Sequence, residues 1–311
     1  MRNMQTLDNV LQTIISRIGE DAVYENEPMW LHTSMEVGGP TRYLFQPKSE
    51  EDLRFLLQIL QETDYQFYVK GNGSNLLFPD EGFDGAIIEI RRMQNVTITG
   101  EEVYAEAGIL LKDLSERILA AELTGFEFAS GIPGSLGGAV CMNAGAYDGE
   151  MKDIVQTVRV MTKDGMILEK TNAEMEFSYR RSACSNGDLI VLGATLKLQK
   201  GDPEAIKAKI DDLTARREEK QPLEYPSCGS VFKRPEGYFA GKLISDAGLK
   251  GYTIGGAQVS EKHAGFIINK GGATAQDVLD LIAYVQKTVE EQFHVKLECE
   301  VKILSCLSPQ K

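Results

Sequence analysis

Glycine is concentrated in two segments whose composition suits the binding of a phosphate-bearing ligand. Residues 71–75 read GNGSN, and residues 130–138 read SGIPGSLGG. Small residues allow backbone N–H groups to converge on a concavity, which binds a diphosphate without basic side chains. Ser74, Asn75 and Ser135 would add side-chain donors. A pair of tight structural turns explains the same composition, so the pattern by itself leaves both interpretations open.

Two familiar phosphate-binding patterns do not fit this sequence. Residues 71–75 follow a predicted strand but lack the third glycine of the dinucleotide fingerprint, and no helical pattern opens after them. Residues 237–242 (GYFAGK) place three residues between the glycines, where a P-loop has four, and Leu243 stands where Ser or Thr would bind magnesium. The sequence therefore supports neither a Rossmann site nor a P-loop.

Three further segments carry polar side chains of chemical interest. Ser230 follows a glycine and precedes an apolar pair, but it has neither a GxSxG elbow nor a nearby histidine, so it does not match a hydrolase nucleophile. Adjacent arginines such as Arg180 and Arg181 are usually solvated, and composition favours that interpretation here. Glu298 and Glu300 share one face of a predicted strand, and solvation explains both equally well.

The elements that would position these residues begin with an α/β or α+β unit in roughly the first 92 residues. Apolar spacing predicts a helix over residues 7–18 and another after Ser49, an N-cap followed by acidic residues. Strands are predicted in residues 38–47, 66–70 and 86–90. The order of strand, helix, strand, loop and strand is typical of such a unit.

From Gln94 onward the pattern changes to hairpin strands. Residues 95–100 and 102–108 alternate like a hairpin, residues 112–123 predict a helix, and Asp164-Gly165 marks a turn between two strands. A long strand follows at 189–199. After a break at Gly201, a helix begins at the Asp202 cap, a second helix begins at the Thr274 cap, and residues 294–304 predict a last strand.

Composition and charge narrow the classes of function. The 311 residues include 33 basic and 46 acidic side chains, giving 33 − 46 = −13. That balance argues against a nucleic-acid partner but permits a local site for a small anion. No apolar run approaches the length of a membrane helix, and the amphipathic N-terminus does not resemble a signal peptide. We therefore expect a cytoplasmic protein without membrane insertion, and no protein partner can be inferred.

Cysteine and histidine usage indicates neither a disulfide framework nor a metal site. The five cysteines are scattered without a CxxC pair, and the three histidines lie far apart in sequence. We expect reduced thiols and no metal.

Six segments together resemble the UDP-N-acetylenolpyruvoylglucosamine reductase family, and they occur in the family's order over most of the chain. The matching segments are GNGSNLL (71–77), SGIPGSLGGAVCMNAGAY (130–147), SYRRS (178–182), KQPLEYPSCGSVFKRP (220–235), GGAQVSEKHAGFIIN (255–269) and LECEVKIL (297–304). The resemblance implies an α+β fold with a two-part FAD-binding module of the vanillyl-alcohol-oxidase (PCMH) type and a C-terminal α+β substrate-binding domain. The implied divisions are residues 1–92 joined by a C-terminal strand at 299–311, residues 93–200, and residues 201–298.

The resemblance also implies a cofactor and its binding residues. FAD would be held non-covalently, with its diphosphate on the two glycine-rich segments, and NADPH would be the co-substrate. The implied cofactor-binding residues are Gly71, Asn72, Gly73, Ser74, Asn75, Leu76, Ser130, Gly131, Pro133, Gly134, Ser135, Gly137, Gly138, Asn143, Ala144 and Gly145.

The implied reaction reduces the enolpyruvyl group of UDP-N-acetylglucosamine enolpyruvate to give UDP-N-acetylmuramate for peptidoglycan. Hydride would pass from flavin N5 to C3 and a proton from Ser230 to C2, while Arg180 and Glu300 stabilise the enolate. A hydroxyl is a poor acid in water, and Lys233 is a candidate neighbour to stabilise its alkoxide. The implied substrate-binding residues are Arg216, Lys220, Lys233, Arg234 and His263.

The sequence departs from the family pattern at three places. Arg234 stands where many relatives have Asn, and Asp148 stands where Gly is more common. Only residues 181–188 separate Arg180 from the next predicted strand, which indicates a shorter-loop class without the tyrosine that closes over the UDP group in some relatives. Two alternatives remain: another flavin oxidase or dehydrogenase of the same fold, or a non-catalytic nucleotide-sugar or flavin sensor, although a sensor need not retain Arg180, Ser230 and Glu300 together.

Overall fold

A computed structural model describes residues 7–147 and 149–304 of the chain. Asp148 lies outside the described residues, and so do residues 305–311 of the C-terminal strand predicted at 299–311. Within the described ranges the α-helices are α1 (Leu7–Ile18), α2 (Glu50–Glu62), α3 (Leu111–Ala120), α4 (Leu136–Cys141), α5 (Pro203–Lys220), α6 (Ala240–Asp246) and α7 (Ala275–Phe293). The strands of the first 200 residues are β1 (Val23–Pro28), β2 (Pro40–Phe45), β3 (Phe67–Lys70), β4 (Leu76–Leu77), β5 (Phe83–Glu89), β6 (Val96–Thr99), β7 (Glu102–Glu106), β8 (Leu123–Thr124), β9 (Gly145–Ala146), β10 (Gly149–Glu150), β11 (Val155–Thr162), β12 (Ile167–Thr171), β13 (Leu189–Lys197) and β14 (Gln199–Lys200). The remaining strands are β15 (Ser227–Ser230), β16 (Thr253–Ile254), β17 (Ala257–Val259), β18 (Phe266–Asn269) and β19 (Lys302–Ile303).

The first sheet has the order β1-β2-β5-β3, in which β2 and β3 run parallel to β5 and β1 runs antiparallel to β2. Helix α2 connects β2 to β3, as the sequence predicted. Ser49 caps α2 by accepting a hydrogen bond from the Asp52 N–H at 3.1 Å. The leucines of α2 are buried, because their helical spacing places them on one face. In this sheet, β3 ends directly before residues 71–75.

The second sheet is antiparallel, with the order β12-β11-β13-β7-β6. The predicted hairpins are both present: β6 pairs with β7, and β11 pairs with β12 around the Asp164-Gly165 turn. Gly165 has a φ of +84°, which the turn requires and which glycine adopts without strain. The α+β fold class is confirmed by this antiparallel sheet beside the mixed first sheet.

The third sheet, β15-β18-β17-β16, is antiparallel and packs against α7. Helix α7 begins with a capping box in which Thr274 and Asp277 each accept a backbone N–H of the other. Asp80, from the first unit, accepts further N–H bonds from Ala275 at 2.7 Å and Gln276 at 2.9 Å. We call the parts of the fold that contain the first, second and third sheets the first, second and third units. The first and third units are therefore joined at the beginning of α7.

The buried side chains do not follow the predicted domain division at residue 93. One core contains α1, α2 and first-sheet residues together with α3 and second-sheet residues, so the two parts of the predicted FAD module share it. A separate core contains third-sheet and α7 residues with Met35, Val37 and Leu77. Helix α5 packs against α3 and the turn Glu127–Ala129 of the second unit. The three-part division stays a prediction.

The prediction of a strand over residues 294–304 is largely wrong. Residues 295–298 form no strand, Cys299 makes an isolated bridge to Phe232, and only Lys302–Ile303 forms a strand, β19. The predicted alternation of side chains still holds: Leu297 and Val301 are buried in the core of the third sheet and α7, and Cys299 packs against that core. Strand β19 pairs in parallel with β4, immediately after residues 71–75.

No helix in the described part of the chain is long and apolar enough to cross a membrane.

Candidate active site

The two glycine-rich segments lie against each other. We call residues 71–75 the first glycine loop and residues 130–138 the second glycine loop. A Cβ at Gly71 would stand 2.1 Å from the Ser135 Oγ, and a Cβ at Gly134 would stand 3.4 Å from the Ser74 Oγ. At Gly73 φ is +73°, and a Cβ there would stand 2.1 Å from the His32 carbonyl oxygen. Close approach therefore favours glycine at positions 71 and 73, and the paired loops line one concavity.

Two buried polar atoms at this concavity have no hydrogen-bond partner among the described residues: Ser135 Oγ and Arg217 Nε. Ser135 is the N-cap residue of α4, yet its hydroxyl makes no capping bond. The Arg217 side chain passes beside Gly131 and places its guanidinium 6.0 Å from the centroid of the Tyr147 ring. Burial lowers the pKa of Arg217. A buried hydroxyl and a buried cation beside clustered glycines fit the diphosphate of a dinucleotide.

A cavity of about 1100 Å³ extends along the two loops, at the upper end of the usual range for small-molecule sites. The predicted cofactor residues that line it are Gly71, Asn72, Gly73, Ser74, Asn75, Leu76, Pro133, Gly134, Ser135, Gly137, Gly138, Ala144 and Gly145. The remaining predicted residues, Ser130, Gly131 and Asn143, do not line it. Asn143 is buried and donates a hydrogen bond to the Ser178 carbonyl at 3.1 Å.

A second cavity, of about 390 Å³, adjoins the first, and Arg180, Ser230 and Glu300 line both. The structure thus brings together the three residues predicted for catalysis, from three distant parts of the sequence. The other lining residues of the second cavity include Tyr179, Arg234, Phe239, Lys242, Lys250, Lys262 and His263.

Arg180 is held in a strained turn and paired with Glu300. Its Nε donates to the Glu300 Oε1 at 2.7 Å, and its guanidinium lies 5.3 Å from the centroid of the Tyr179 ring. The φ of Arg180 is +56°, a conformation that is costly for a residue other than glycine and that is found at functional sites. The interpretation of both arginines as solvated was wrong for Arg180, whose side chain is 23% exposed, while Arg181 is exposed.

Glu300 is fixed between the third sheet and the first glycine loop. Its backbone N–H donates to the Val231 carbonyl at 2.7 Å, and its carbonyl accepts from the Asn75 Nδ2 at 3.1 Å. Burial raises the pKa of Glu300, and the opposing effect of Arg180 does not cancel it. A carboxyl group with a raised pKa is suited to hold a proton, so the solvated interpretation fits only Glu298, which is 75% exposed.

Ser230 ends β15, directly after Gly229, whose φ is +73°. Its register partner across the third sheet is Phe266. The first unit holds the start of the same strand, because the Ser34 Oγ donates to the Ser227 carbonyl at 2.7 Å and the Ser227 N–H donates to the Ser34 carbonyl at 2.9 Å. Ser230 is half-buried and faces both cavities.

Three of the predicted substrate-binding residues do not line either cavity. Arg216 is exposed and pairs with Asp212 at 2.9 Å on its own helix, and Lys220 is exposed at the end of that helix. The Lys233 Nζ pairs with the exposed Glu298 at 3.3 Å. Arg217 lines the first cavity instead of Arg216, because adjacent residues on an α-helix point about 100° apart.

The other two predicted substrate-binding residues do line the second cavity. The His263 Nδ1 accepts the Gly265 N–H at 3.1 Å, and burial lowers the pKa of His263, so the ring is neutral with Nε2–H as donor. The Arg234 guanidinium lies 4.0 Å from the centroid of the Phe239 ring, and the Arg234 N–H donates to the Tyr179 hydroxyl at 3.1 Å.

Sequence reasoning missed most of the charge around the second cavity. Lys242, Lys250 and Lys262 are exposed lysines from separate segments, and only Lys262 lies in a segment that matches the family. Lys242 pairs with Asp246 at 2.6 Å and Lys262 with Glu224 at 3.7 Å. In residues 7–147 and 149–304 no group of three or more His, Cys, Asp or Glu side chains is placed to hold a metal ion.

Comparison with known proteins identifies the class first. Residues 41–171 match the family model described as "FAD binding domain". The structure is similar in fold to that of Phl p 4.0202, a glucose dehydrogenase, at a TM-score of 0.50 and 16% identity, covering 63% of this chain and 44% of that chain. The family model and the paired glycine loops therefore place this chain in the class of proteins with an FAD-binding domain.

The remaining comparisons identify the family. Residues 221–304 match the model of the UDP-N-acetylenolpyruvoylglucosamine reductase C-terminal domain. The UDP-N-acetylenolpyruvoylglucosamine reductase of Caldanaerobacter subterraneus is 53% identical over 92% of this chain and 94% of its own length. The crystal structure of the enzyme from Thermus caldophilus is similar at a TM-score of 0.78 and 35% identity, covering 91% of this chain and 98% of that chain. This chain belongs to the UDP-N-acetylenolpyruvoylglucosamine reductase family, which confirms the resemblance.

Proposed function

We propose that this chain uses FAD and NADPH to reduce the enolpyruvyl group of UDP-N-acetylglucosamine enolpyruvate, which yields UDP-N-acetylmuramate for peptidoglycan synthesis. The observation that carries the proposal is the convergence of Arg180, Ser230 and Glu300 where the two cavities meet. One cavity is lined by glycine loops and the other by cations. A dinucleotide cofactor and an anionic nucleotide sugar would therefore approach the three residues from opposite sides.

The residues present fit FAD. The two glycine loops would hold its diphosphate, with the Ser135 hydroxyl and the Arg217 guanidinium as additional donors. When bound, FAD would supply the chemistry of hydride transfer between NADPH and C3 of the enolpyruvyl group. Asn75, which bonds the Glu300 carbonyl, would keep the first glycine loop and the catalytic carboxyl group in a fixed relation.

The chain's own residues would handle the charge and the proton. Hydride addition at C3 leaves negative charge at C2 that spreads onto the neighbouring carboxylate, and the Arg180 guanidinium stabilises it. Glu300, whose pKa burial raises, would donate a hydrogen bond in its protonated form. The Ser230 hydroxyl, which faces the same junction, would transfer its proton to C2. Lys233 is paired with Glu298 and lies close enough to Glu300 to favour its ionised form.

The second cavity would bind the UDP group. Its lysines and Arg234 would offset the phosphate charge in a chain whose formal charge is −13. The stacked pair of Arg234 and Phe239 offers a flat surface, and the neutral His263 offers an N–H donor. Tyr179, exposed beside Arg180, would contribute an aromatic ring in place of the longer loop found in some relatives.

The test is an anaerobic absorbance experiment on the purified FAD-loaded chain and its Ser230→Ala variant. For the parent chain we expect NADPH to bleach the flavin and the enolpyruvyl nucleotide sugar to restore the colour. For Ser230→Ala we expect normal bleaching and restoration slowed by about 100-fold or more, the usual contribution of a general acid. Ser227→Ala, on the same strand, is the matched control and should behave like the parent.

Each part of the proposal fails on a different result. A parent chain that NADPH does not bleach would remove NADPH from the proposal. Bleaching without restoration by the nucleotide sugar would remove that substrate. Restoration at the parent rate in Ser230→Ala would remove Ser230 as the proton donor.

A further inference from the structure

A cluster of buried charged side chains lies behind the first glycine loop, outside the reacting centre. The Lys70 side chain is 0% exposed and the Glu89 side chain 2% exposed, and the two form an ion pair. The His32 ring joins them through Nδ1, 3.4 Å from the Glu89 Oε1, and reaches Glu27 through Nε2 at 2.9 Å. Gln46 donates to the second Glu89 oxygen at 2.6 Å. Three strands and one turn thus contribute to a single polar network in the interior.

The cluster touches the first glycine loop at two points. The Lys70 Nζ donates to the Gly71 carbonyl at 3.0 Å, at the beginning of the loop. The His32 carbonyl lies so close to Gly73 that a Cβ on Gly73 would stand 2.1 Å from it. Two residues after His32, the Ser34 N–H donates to the Gly73 carbonyl at 3.3 Å. The side chain of Lys70 and the backbone of His32 therefore support the loop from behind.

The charge of the cluster depends on one proton. With Glu27 and Glu89 ionised and Lys70 protonated, the cluster is neutral when His32 is protonated and carries −1 when His32 is neutral. Burial lowers the pKa of Lys70, and Glu89 opposes that effect. Burial would raise the pKa of Glu89, but His32 and Lys70 outweigh it and hold that pKa at about 2. Burial would lower the pKa of His32, but its two carboxylate partners outweigh it and raise that pKa. Arg91 is a further cation close enough to act on Lys70.

We propose that Lys70, Glu89 and His32 are positioning residues that hold the first glycine loop in its FAD-binding conformation, and that loss of the proton from His32 weakens FAD binding. The inference rests on the proposed placement of the FAD diphosphate at the glycine loops. A negative charge added directly behind the loop opposes the binding of an anionic diphosphate and weakens the Lys70–Gly71 contact through competition for the ammonium. These residues act through the loop and touch no reacting atom.

The test measures the dissociation constant of FAD for the full chain, stripped of cofactor, by flavin fluorescence titration from about pH 5 to pH 8, the range in which histidine titrates. For the parent we expect the constant to rise by about 5-fold or more as pH increases, the usual lower bound for coupling between two sites. For His32→Gln we expect a constant that does not change with pH. His294→Asn, which replaces an exposed histidine at the end of α7, should retain the parent profile.

Two further variants separate the inference from the proposed function. Lys70→Met should weaken FAD binding at every pH, and where it fails to fold, as judged by circular dichroism, His32→Gln decides. Ser135→Ala tests the proposed diphosphate site at the glycine loops, and it should weaken FAD binding without changing the pH profile. If Ser135→Ala binds FAD as tightly as the parent, the placement of the diphosphate is wrong. If Ser135→Ala binds FAD more weakly while His32→Gln keeps the parent's pH dependence, the inference is overturned and the proposed diphosphate site is retained.

Discussion

At the scale of single residues, the pairing of Arg180 with Glu300 decides what the site can do. The arginine is held near the junction of the cavities by an unfavourable backbone conformation, and the glutamate by bonds to Val231 and Asn75. Glu300 could not move without breaking contacts to two units of the fold, and Arg180 could not move without losing its bond to Glu300. Such fixed donors stabilise developing charge at little reorganisation cost.

We expect Glu300→Gln to change the pH dependence of substrate reduction more than its maximal rate. The folded pKa of Glu300 is raised, so the protonated donor is present at low pH and is lost as pH rises through that pKa. Gln keeps an N–H donor at every pH. Anaerobic return of flavin absorbance, followed against pH, should show a falling limb in the parent and none in the variant. At low pH the rate of substrate reduction should fall by less than the roughly 100- to 1000-fold loss that follows complete removal of such a donor.

Glu298→Gln is the matched control for that experiment. Glu298 lies two residues away, is 75% exposed and pairs with Lys233. Its variant should keep the falling limb of the parent. A falling limb of unchanged position in Glu300→Gln would show that another group titrates.

The difference between Arg216 and Arg217 shows what the sequence could not decide at this scale. The resemblance located a cationic position before residues 220–235, but two adjacent arginines occur there. Which of them faces the cavity depends on the rotation of α5 against α3 and the turn Glu127–Ala129. That rotation is set by tertiary packing, because α5 is highly charged with few buried residues and shows only a weak apolar face.

At the scale of elements, the glycine loops depend on close contact with the turn before β2. Gly73 stands against the His32 carbonyl, and its φ of +73° is unfavourable for any side chain. The loop cannot retreat, because its other side faces Ser135. The conformation that would bind FAD is therefore determined by contacts on both faces of the loop.

Gly73→Ala should accordingly cost cofactor affinity as well as stability. The added Cβ would overlap the His32 carbonyl, so the loop must shift, and we expect FAD to bind about 10-fold or more weakly. The strained φ alone costs on the order of 1–3 kcal/mol. Gly248→Ala is the matched control, since Gly248 has a φ of +74° and no atom within 4 Å of an added Cβ. Both variants should lose stability in thermal unfolding, but only Gly73→Ala should lose FAD affinity in a fluorescence titration. Equal affinities would contradict the role assigned to the contact.

The helices and hairpins were largely predictable, whereas the last strand was not. Caps at Ser49, Asp202 and Thr274 mark helices by local hydrogen bonds, and Asp164-Gly165 marks a turn by backbone preference. These are local signals that a sequence carries directly. Residues 294–304 alternate like a strand, but a strand also needs a partner edge, and only Lys302–Ile303 finds one. The local sequence pattern does not specify the pairing of strands that are far apart in the sequence.

At the scale of the whole molecule, the third sheet is fastened to the first unit close to Ser230. The Asn269 Nδ2 donates to the carbonyls of Met35 at 3.2 Å and Glu36 at 3.4 Å, beside the Ser34–Ser227 contacts. The Cys228 Sγ donates to the Leu76 carbonyl at 3.3 Å. These contacts set the position of β15 relative to the cofactor loops, so they set the reach of Ser230.

Asn269→Ala should therefore impair the two half-reactions unequally. Bleaching by NADPH does not need Ser230 and should stay near the parent rate, while return of colour with the nucleotide sugar should slow by about 10-fold. Leaving buried carbonyls unpaired should cost on the order of 1–3 kcal/mol of unfolding free energy. Stopped-flow absorbance measures both steps. Asn172→Ala is the control, because Asn172 also donates to two carbonyls, those of Lys152 and Val155, within the second unit. An unchanged ratio of the two rates in Asn269→Ala would refute this positioning role.

The parallel pairing of β19 with β4 has a consequence for how the protein is made. It brings Glu300 beside Asn75, residues that are 225 positions apart in a chain of 311, so the contact closes most of the chain into a loop. A ribosome delivers the N-terminal units first, and they begin to fold before the end of the chain emerges. Both glycine loops and Arg180 are therefore assembled while Glu300 is still unsynthesised or inside the exit tunnel. A nascent chain can therefore acquire both glycine loops early, but it becomes competent for the reaction only after residue 300 has left the ribosome.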